Sequence, residues 1–566
     1  MAYILQYNSS QALEKTKEDL MSMEKKMGVL GIIDKPAFLL PSILIVSAII
    51  FGAVAPDIFN NAASAAFTFV TKYFSWFYAL GVSLMIVFCF WAAFGKYGKI
   101  KLGGSDAKPT MSFTSWFFVT LISGIAIGTV YWSVGEPISY LTSPPGFTGW
   151  EPYSAEAAEG VLKYNFLHWG IHPYAIYTGF GLCFAFIILN GKRRFSMSSG
   201  LYPLIGNKTE GIVGKLVNGL CMFSILGCMG TSLGFGVSQF STGVSYVFGT
   251  TISDAAMAVF FIGIVLILAV GTACTGLQKG ITPASHVNMY IFIALMVWAF
   301  IFGGPLFILN NTTSSIGQYL AFLVPQSFYL EPVKQTGWVA NWSIFYWAWW
   351  LAAAPSVGLF LTKLAKGRTI REFVLVNMIA PTIFLIAWFG IFGSSAIQME
   401  LAGSNIAADI AEWGTPVSLF AYVKNLPLTP VLYGLVFLAI IISITTMINA
   451  MIFALSDMST KPRFLEEGNR RKGPSNVLKI YWGIVMGSIA FILLFSGGLG
   501  ALQTASVVCG LPIMALELVL AVGFIKAMRQ RSKYDLTLTE LERNTLRKEE
   551  SAKKDEKEST ATTSAS

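Results

Sequence analysis

Two aromatic segments of the 566-residue chain have the residue types and the spacing to hold a cation. In the segment WSIFYWAWW (342–350), which includes Phe345, the indoles of Trp349 and Trp350 come well inside an apolar run. At 1.5 Å per residue they lie about 15 Å deep, whereas an interfacial aromatic belt lies at the end of a span. Ring faces of this kind hold quaternary ammonium groups. We therefore expect a cage for a cation that cannot donate hydrogen bonds.

The second segment, FLHWGIHPYAIY (166–177), supplies rings that could form the facing wall of this cage. Trp169, Tyr174 and Tyr177 fall there at helical spacing. His168 and His172 are four residues apart in the same segment, and no carboxylate stands beside them in the sequence. Because a metal site needs more ligands than this pair supplies, we expect structural roles for both histidines.

A third segment, WFFVTLISGIAIGTVYWSVGEP (116–137), has small residues at every second position of its middle, namely Gly124, Ala126 and Gly128. Small residues in a membrane helix allow close packing of its neighbours. They also allow the helix to unwind locally, which exposes backbone groups to a ligand or an ion. The sequence leaves both explanations open. In the second case Glu136, followed by Pro137, would sit near an entrance.

The elements that must position these residues are membrane helices. The chain is 54% hydrophobic and only 12% charged, against about 25% charged residues in a soluble domain. Apolar runs predict twelve spans, at 36–56, 76–94, 113–134, 164–189, 214–245, 253–275, 286–309, 339–362, 374–395, 428–455, 475–496 and 502–526. With no P-loop and no mid-span cluster of carboxylates or metal ligands, we expect no enzyme activity and no organic cofactor.

The charged residues predict the orientation of the spans. Counting from a cytoplasmic N-terminus, the inner loops carry clusters of Lys and Arg, and the outer loops carry about one lysine each, at Lys72, Lys163, Lys334 and Lys424. Since positive charge is retained on the cytoplasmic side, we expect both termini in the cytoplasm of a cell-membrane protein. The net charge of +9 therefore gives no support to nucleic-acid binding.

The segments outside the spans have distinct compositions. We expect a cytoplasmic segment at 1–35, without an evident signal peptide, and an interfacial helix at 312–330. The tail 527–566 is charged and predicts a short cytoplasmic helix followed by disorder in STATTSAS (559–566). All six cysteines lie in apolar runs, which argues against disulfides.

At these residues the chain resembles the betaine/carnitine/choline transporter (BCCT) family, and its local sequence is most similar to the carnitine/γ-butyrobetaine exchanger branch. The resemblance covers roughly residues 30–530 and rests on WSIFYWAWW (342–350), KGRTIREF (366–373), HWG (168–170), MGTSLG (229–234) and GLQKG (276–280). It implies an all-α integral membrane fold with two inverted five-helix repeats (LeuT-like), at about 113–309 and about 339–526, after two N-terminal helices. It also implies a homotrimer in contact with membrane lipid.

The resemblance further implies the substrate-binding residues. By position, the aromatic cage comprises Trp169, Tyr174, Tyr177, Trp349, Trp350 and Tyr131, with Phe345, Glu136 and Ser139 close by. Three positions depart from the family pattern. Tyr174 replaces a usual Trp, Ala353 replaces a large aromatic residue, and Ser139 replaces a cage tyrosine of the carnitine exchanger. We therefore expect a partly rebuilt cage.

A sodium site is also implied. Adjacent hydroxyls at Thr445 and Thr446 match the family's ion position, opposite the carbonyls of Ile122 and Ile125, and hard cations prefer oxygen ligands. The alternative is that each threonine bonds only to its own helix. The sodium-independent exchanger places an arginine where this chain has Asn288 and a sulphur ligand where it has Val357, which favours sodium. A second site is possible at Thr231 and Ser232.

The sequence thus predicts a sodium-coupled secondary transporter that imports a trimethylammonium compound of the betaine, choline or carnitine type by alternating access. Two alternatives stay open. One is a sodium-independent exchanger of such compounds, and the other is a cation channel in which the Trp cluster is only packing.

Overall fold

The computed structural model describes residues 33–250, 253–275, 282–461, 466–467, 470–471 and 474–563. The predicted cytoplasmic segment, up to residue 32, and the GLQKG motif lie outside the described residues. Within them the regular elements are helices, apart from a short antiparallel strand pair, β1 (Glu466–Glu467) and β2 (Arg470–Arg471). This confirms the all-α fold class.

The α-helices of the described residues are α1 Lys35–Val54, α2 Pro56–Phe94, α3 Phe113–Thr142, α4 Ala155–Gly160, α5 Leu162–Trp169, α6 Ile171–Leu189, α7 Tyr202–Ile205, α8 Ile212–Phe248, α9 Asp254–Thr275, α10 Thr282–Phe302, α11 Pro305–Phe328, α12 Phe345–Leu364, α13 Ile370–Val374, α14 Ala380–Leu401, α15 Ile406–Trp413, α16 Ser418–Val423, α17 Thr429–Met458, α18 Asn476–Met528, α19 Arg531–Tyr534 and α20 Glu540–Thr563. Short 3-10 turns lie at Met197–Leu201, Gly206–Glu210 and Thr415–Val417. Single π-helical turns, Ala340–Ile344 and Leu375–Ile379, precede α12 and α14.

Twelve helical stretches cross the membrane by length and composition. Eleven of them in the described residues are long and apolar enough to do so, and the bent helix α3 makes the twelfth. Each predicted span falls on one of these stretches, which confirms the twelve-span architecture. Helix α18 contains the last two spans, joined at Gly498, whose φ of 56° interrupts the helix. The grouping into two inverted repeats at the stated boundaries stays a prediction.

Three boundaries differ from the predicted ones. Helix α2 begins at Pro56 instead of residue 76, because the Ala-rich segment 56–75, ahead of the predicted span, is also helical. The seventh span, predicted to reach 309, ends at Phe302. There Gly304 takes a left-handed φ of 86° and Pro305 starts α11, so the predicted interfacial helix begins earlier than 312.

The tail helix is longer than predicted. Helix α20 starts at a cap in which Thr539 accepts from the backbone of Glu542, and it continues through Thr563 into the segment expected to be disordered. The expectation of disorder for residues 559–563 is therefore wrong. Once a helix is nucleated, each added residue gains a backbone hydrogen bond, so a small polar segment can extend it. The side chain of Glu550 accepts from the backbone N–H of Ser532 at 3.2 Å, which ties α20 to α19.

Two of the recognised motifs have structural roles. In KGRTIREF, Thr369 and Glu372 form a reciprocal cap at the start of α13, and Arg368 donates to the carbonyl of Met111 at 2.9 Å, ahead of α3. In MGTSLG, a Cβ on Gly230 would lie 2.7 Å from atoms of Leu493. Glycine there lets α8 approach α18 closely. Both motifs therefore hold the helices that carry the site.

Candidate functional site

Four of the aromatic residues predicted for the cage line a small cavity of about 30 Å³ inside the helix bundle. Its lining combines four predicted rings with small and uncharged side chains: Gly124, Gly128, Trp169, Tyr177, Cys228, Ser232, Trp349, Trp350, Ala353 and Met447. The rings come from α5, α6 and α12, and the remaining residues from α3, α8, α12 and α17. The small side chain of Ala353 leaves room where the family usually has a large ring.

The rings meet nearly at right angles. The centroid of Trp169 lies 5.7 Å from that of Trp350, with 80° between the planes, and 6.4 Å from that of Trp349 at 88°. Tyr177 packs against Trp350 at 4.9 Å. Walls at right angles present both faces and edges to the same space, and the faces carry the negative end of the ring quadrupole. The cavity walls are therefore electronegative without carrying a charge.

Three further predicted cage residues lie behind the rings that line the cavity. Tyr174 packs on Trp350 at 5.4 Å and its hydroxyl donates to the Gly124 carbonyl at 3.4 Å. Tyr131 stacks on Phe235 at 4.7 Å. The ring of Phe345 stacks on that of Trp349 with 10° between the planes. These three rings do not line the cavity and instead pack against its surroundings.

Glu136 lies inside the helix bundle, and its expected position near an entrance stays a prediction. Its side chain is fully buried, and its two oxygens accept from four donors. These are the hydroxyls of Tyr140 and Tyr346, both at 2.8 Å, and Nδ1 of His168 and Nε1 of Trp169, both at 2.7 Å. A buried carboxylate is stable only when paired in this way. Glu136 therefore anchors Trp169, one of the cage walls, from behind.

The histidines and Ser139 differ from the expectations. A carboxylate does stand beside His168, but it comes from Glu136, 32 residues earlier in the chain. His172 is bonded through Nε2 to the hydroxyl of Ser327 at 2.7 Å. Ser139 donates to the carbonyl of Gly135 in its own helix at 2.6 Å and does not line the cavity. Within the described residues, no group of three or more His, Cys, Asp or Glu side chains could hold a metal.

The small residues of α3 lie where the helix bends and where it packs closely against two indoles. The helix axis bends by 58° between Phe113–Ile122 and Ile127–Thr142, so the helix is broken where Gly124 lies. A Cβ on Gly128 would lie 2.6 Å from Trp349 and 2.8 Å from Trp169, so glycine also allows the indoles to pack against the helix. The break and the close packing bring the backbone of α3 to the cavity.

A second small cavity, of about 20 Å³, shares the lining residue Met447 with the first. It is lined by uncharged residues: Val119, Ile122, Ser285, Ser356, Val357, Phe360, Thr446, Met447, Ala450 and Met451. Met447 lines both cavities, and so do parts of α3, with Gly124 at the first and Ile122 at the second. The predicted ion position and the predicted cage are therefore direct neighbours.

The predicted sodium residues behave differently from one another. The Thr446 hydroxyl donates to carbonyls of its own helix, Ile442 at 2.9 Å and Ser443 at 3.0 Å. The hydroxyl of Thr445 is buried and has no hydrogen-bond partner. Bonding within the helix thus explains Thr446 but not Thr445. Ile125 lies within the bent stretch of α3, and the use of its carbonyl as a ligand stays a prediction.

Asn288 brings no charge to this region. It is buried on α10, and its side-chain amide donates to the Ser443 hydroxyl on α17 at 3.0 Å. Val357 lines the second cavity with an apolar side chain. Neither residue supplies the charge or the sulphur ligand expected of a sodium-independent exchanger.

The hydroxyls of the possible second ion site have separate partners. Thr231 donates to the carbonyl of Leu502 at 2.6 Å and lies 2.9 Å from the hydroxyl of Ser506. Ser232 accepts from Nε1 of Trp349 at 3.0 Å and lines the aromatic cavity. Ser232 therefore orients a cage wall, a role that the sequence did not indicate. Cys228 and Met447 were also missed as lining residues, since neither has a side chain that stands out in an apolar span.

Known transporters resemble this chain over most of its length. Residues 36–533 match the family described as BCCT, betaine/carnitine/choline family transporter. A probable glycine betaine transporter of Desulfitobacterium hafniense is 35% identical over 85% of this chain and 95% of the relative. The glycine betaine transporter OpuD of Bacillus subtilis is 35% identical over 85% and 92%, respectively. The osmo-independent choline transporter BetT1 of Acinetobacter baylyi is 32% identical over 82% and 87%.

Proposed function

Because the chain belongs to the betaine/carnitine/choline transporter family, we propose that it is a sodium-coupled secondary transporter that imports a trimethylammonium compound. The relatives are named as transporters, so the chain is a transporter and not an enzyme. The observation that carries the proposal is the uncharged central cavity lined by the rings of Trp169, Tyr177, Trp349 and Trp350. Membership in the carnitine/γ-butyrobetaine branch stays a prediction.

The cavity fits the chemistry of a methylated ammonium group. Such a group has no N–H to donate, so ring faces replace the water that it loses, each contact contributing about 2 kcal/mol when desolvated. The indole N–H of Trp350 is buried and has no partner, whereas those of Trp169 and Trp349 are bonded to Glu136 and Ser232. We propose that the free N–H donates to an oxygen of the substrate, such as the carboxylate of a betaine or the hydroxyl of choline.

Sodium is proposed as the co-transported ion, bound at Thr445 and Thr446 with backbone carbonyls of α3. The support is the buried, unpartnered hydroxyl of Thr445 and, next to it in the chain, Thr446, which lines an uncharged cavity together with Ile122 of α3. Oxygen ligands suit a hard cation. One positive charge moving inward down 100 mV yields about 2.3 kcal/mol, which drives about fiftyfold accumulation before the sodium gradient itself counts.

Uptake by purified protein in proteoliposomes tests this proposal. Initial uptake of radiolabelled glycine betaine and choline should saturate with substrate and should fall at least about tenfold when potassium replaces sodium. An unchanged rate, together with substrate counterflow in the absence of sodium, would instead identify the exchanger. Conductance that does not saturate with the cation would identify the channel.

The assembly and orientation belong to the same proposal. We propose a homotrimer in the cell membrane with both termini in the cytoplasm. The loop charges support the orientation, and the family resemblance supports the trimer. Light scattering of the purified protein should give three times the mass of one 61.7 kDa chain, and a monomer mass in lipid nanodiscs would contradict the trimer.

A further inference from the structure

A second buried glutamate lies away from both cavities. Glu517, in the last span of α18, is fully buried, and neither of its carboxyl oxygens has a hydrogen-bond partner. Its neighbours lie on α2 and α6. Oε1 of Glu517 and Sδ of Met85 are each 3.2 Å from the point that a Cβ on Gly179 would occupy, and Sγ of Cys89 is 3.7 Å from it. The absent side chain of Gly179 makes the space for this carboxyl group.

In the part of the chain that the structure describes, no Lys or Arg side chain is paired with Glu517. The titratable groups that face it are the thiols of Cys89 on α2 and Cys183 on α6. The backbone amide of Phe180 lies close enough to favour a charge on the carboxyl group, but its geometry falls short of a hydrogen bond, and burial opposes that charge more strongly. An ionised carboxylate here would be an isolated charge in an apolar interior, which is far less stable than the neutral acid.

We propose that Glu517 is a proton-binding site of this transporter, which holds its proton while α6 and α18 are packed together and releases it when they separate. The position explains the link to transport. Gly179, against which the carboxyl group packs, lies on the helix that carries Tyr174 and Tyr177 of the aromatic site. A charge formed at this contact would need water or a cation beside it, and the carboxyl group is fully buried.

Thermodynamic linkage sets the direction of the effect. The packed state binds the proton more tightly than a state in which water reaches the carboxyl group, so low pH favours the packed state and high pH favours separation. Because alternating access needs a return to the packed state, transport should fall as pH rises. Above the midpoint, the fraction of protonated carrier falls about tenfold per pH unit.

The first test measures the proton directly and needs no substrate. Infrared spectra of the purified protein at about pH 7 should contain the C=O band of a neutral carboxylic acid. That band should be lost in Glu517→Gln and shifted in frequency in Glu517→Asp, and Glu151→Gln, at an exposed glutamate, should keep it. Absence of a neutral-acid band at Glu517 in the wild-type protein would overturn the proposal. If the glutamine variant does not fold, the aspartate variant still assigns the band.

The second test measures the consequence for transport. Initial uptake is followed from about pH 6 to about pH 10, with equal pH on both sides of the liposome. The uptake rates of wild type and Glu151→Gln should fall with rising pH as expected for the loss of one proton. Glu517→Asp should show the same fall at a shifted midpoint pH, and the uptake rate of Glu517→Gln should not change with pH. A glutamine variant with the wild-type pH profile would refute the site. Failure of sodium coupling would leave both tests intact, so the two proposals can fail separately.

Discussion

Two buried glutamates of this transporter have opposite surroundings. Glu136 accepts from four donors on three helices, whereas both oxygens of Glu517 have no partner. Both are fully buried, so burial alone does not determine the role of an intramembrane carboxyl group. Donors that converge on Glu136 make it a fixed anchor, and their absence around Glu517 leaves a group that can exchange a proton. The same contrast, between a polar group with a hydrogen-bond partner and one without, separates Trp169 from Trp350 and Thr446 from Thr445.

The largest effect is expected at the paired glutamate. In Glu136→Gln, an amide N–H₂ replaces an acceptor oxygen and faces donors, so at least one of them is left without a partner. Breaking a buried charged network in this way costs about 3–5 kcal/mol. We expect a marked fall in the thermal unfolding temperature and loss of measurable uptake.

The unpaired glutamate is the matched control for that substitution. Glu517→Gln makes the same chemical change without removing a hydrogen bond, so its unfolding temperature near neutral pH should stay close to that of the wild type. Equal destabilisation by the two substitutions would show that Glu517 has partners under experimental conditions, and the contrast between the two sites would then fail.

The second prediction concerns the ring face of Trp350. Trp350→Leu removes the face on which the ammonium group is proposed to lie, and a loss of about 2 kcal/mol corresponds to roughly thirtyfold weaker binding. Trp350→Phe keeps a smaller ring and should keep part of the affinity. Isothermal titration with glycine betaine and choline in sodium buffer measures both. Three proteins of equal affinity would exclude the cage.

A pair of conservative variants separates the ring from its N–H group. Trp169→Phe leaves Glu136 with one donor fewer, and a hydrogen bond to a charged group contributes about 1.5–3 kcal/mol to the free energy of unfolding. This variant should therefore lower both the unfolding temperature and the affinity for substrate. Trp350→Phe breaks no bond within the protein and should lower affinity with little change in stability. If Trp350→Phe unfolded at a lower temperature than Trp169→Phe, the hydrogen bond to Glu136 would not be the stabilising contact.

These contrasts mark the limit of what the sequence could predict. Apolar length predicted the twelve spans because hydrophobicity is a local property of the chain. Depth and helical spacing predicted the rings that line the cavity. The anchoring of Trp169 was missed because the donors to Glu136 come from as far as Tyr346, 210 residues away, and a tertiary network leaves no mark in spacing. Glu517, in contrast, is visible in the sequence as a charged residue inside the apolar run IMALELVLAV (513–522).

The smallest predicted effect tests the two threonines, where the contrast is between hydroxyls. Thr446 already donates to carbonyls of its own helix, and Thr445 has a buried hydroxyl without a partner. A bound sodium would give that hydroxyl its missing neighbour. Thr445→Ala should therefore raise the sodium concentration for half-maximal uptake by about tenfold, a loss of about 1.4 kcal/mol, and Thr446→Ala by less. Thr445→Ser, which keeps the hydroxyl, is the control.

Linkage makes this last prediction specific to the ion. If sodium raises the affinity for the substrate, the substrate must raise the affinity for sodium by the same factor. The alanine variants should therefore reduce both increases in affinity equally in binding measurements. Asn288→Arg should act in the opposite sense, because a fixed charge beside Ser443 takes the place of the ion and allows uptake in potassium buffer. If the alanine variants left the sodium dependence of binding unchanged, Thr445 and Thr446 would not be sodium ligands, and the free hydroxyl of Thr445 would be only a tolerated packing defect.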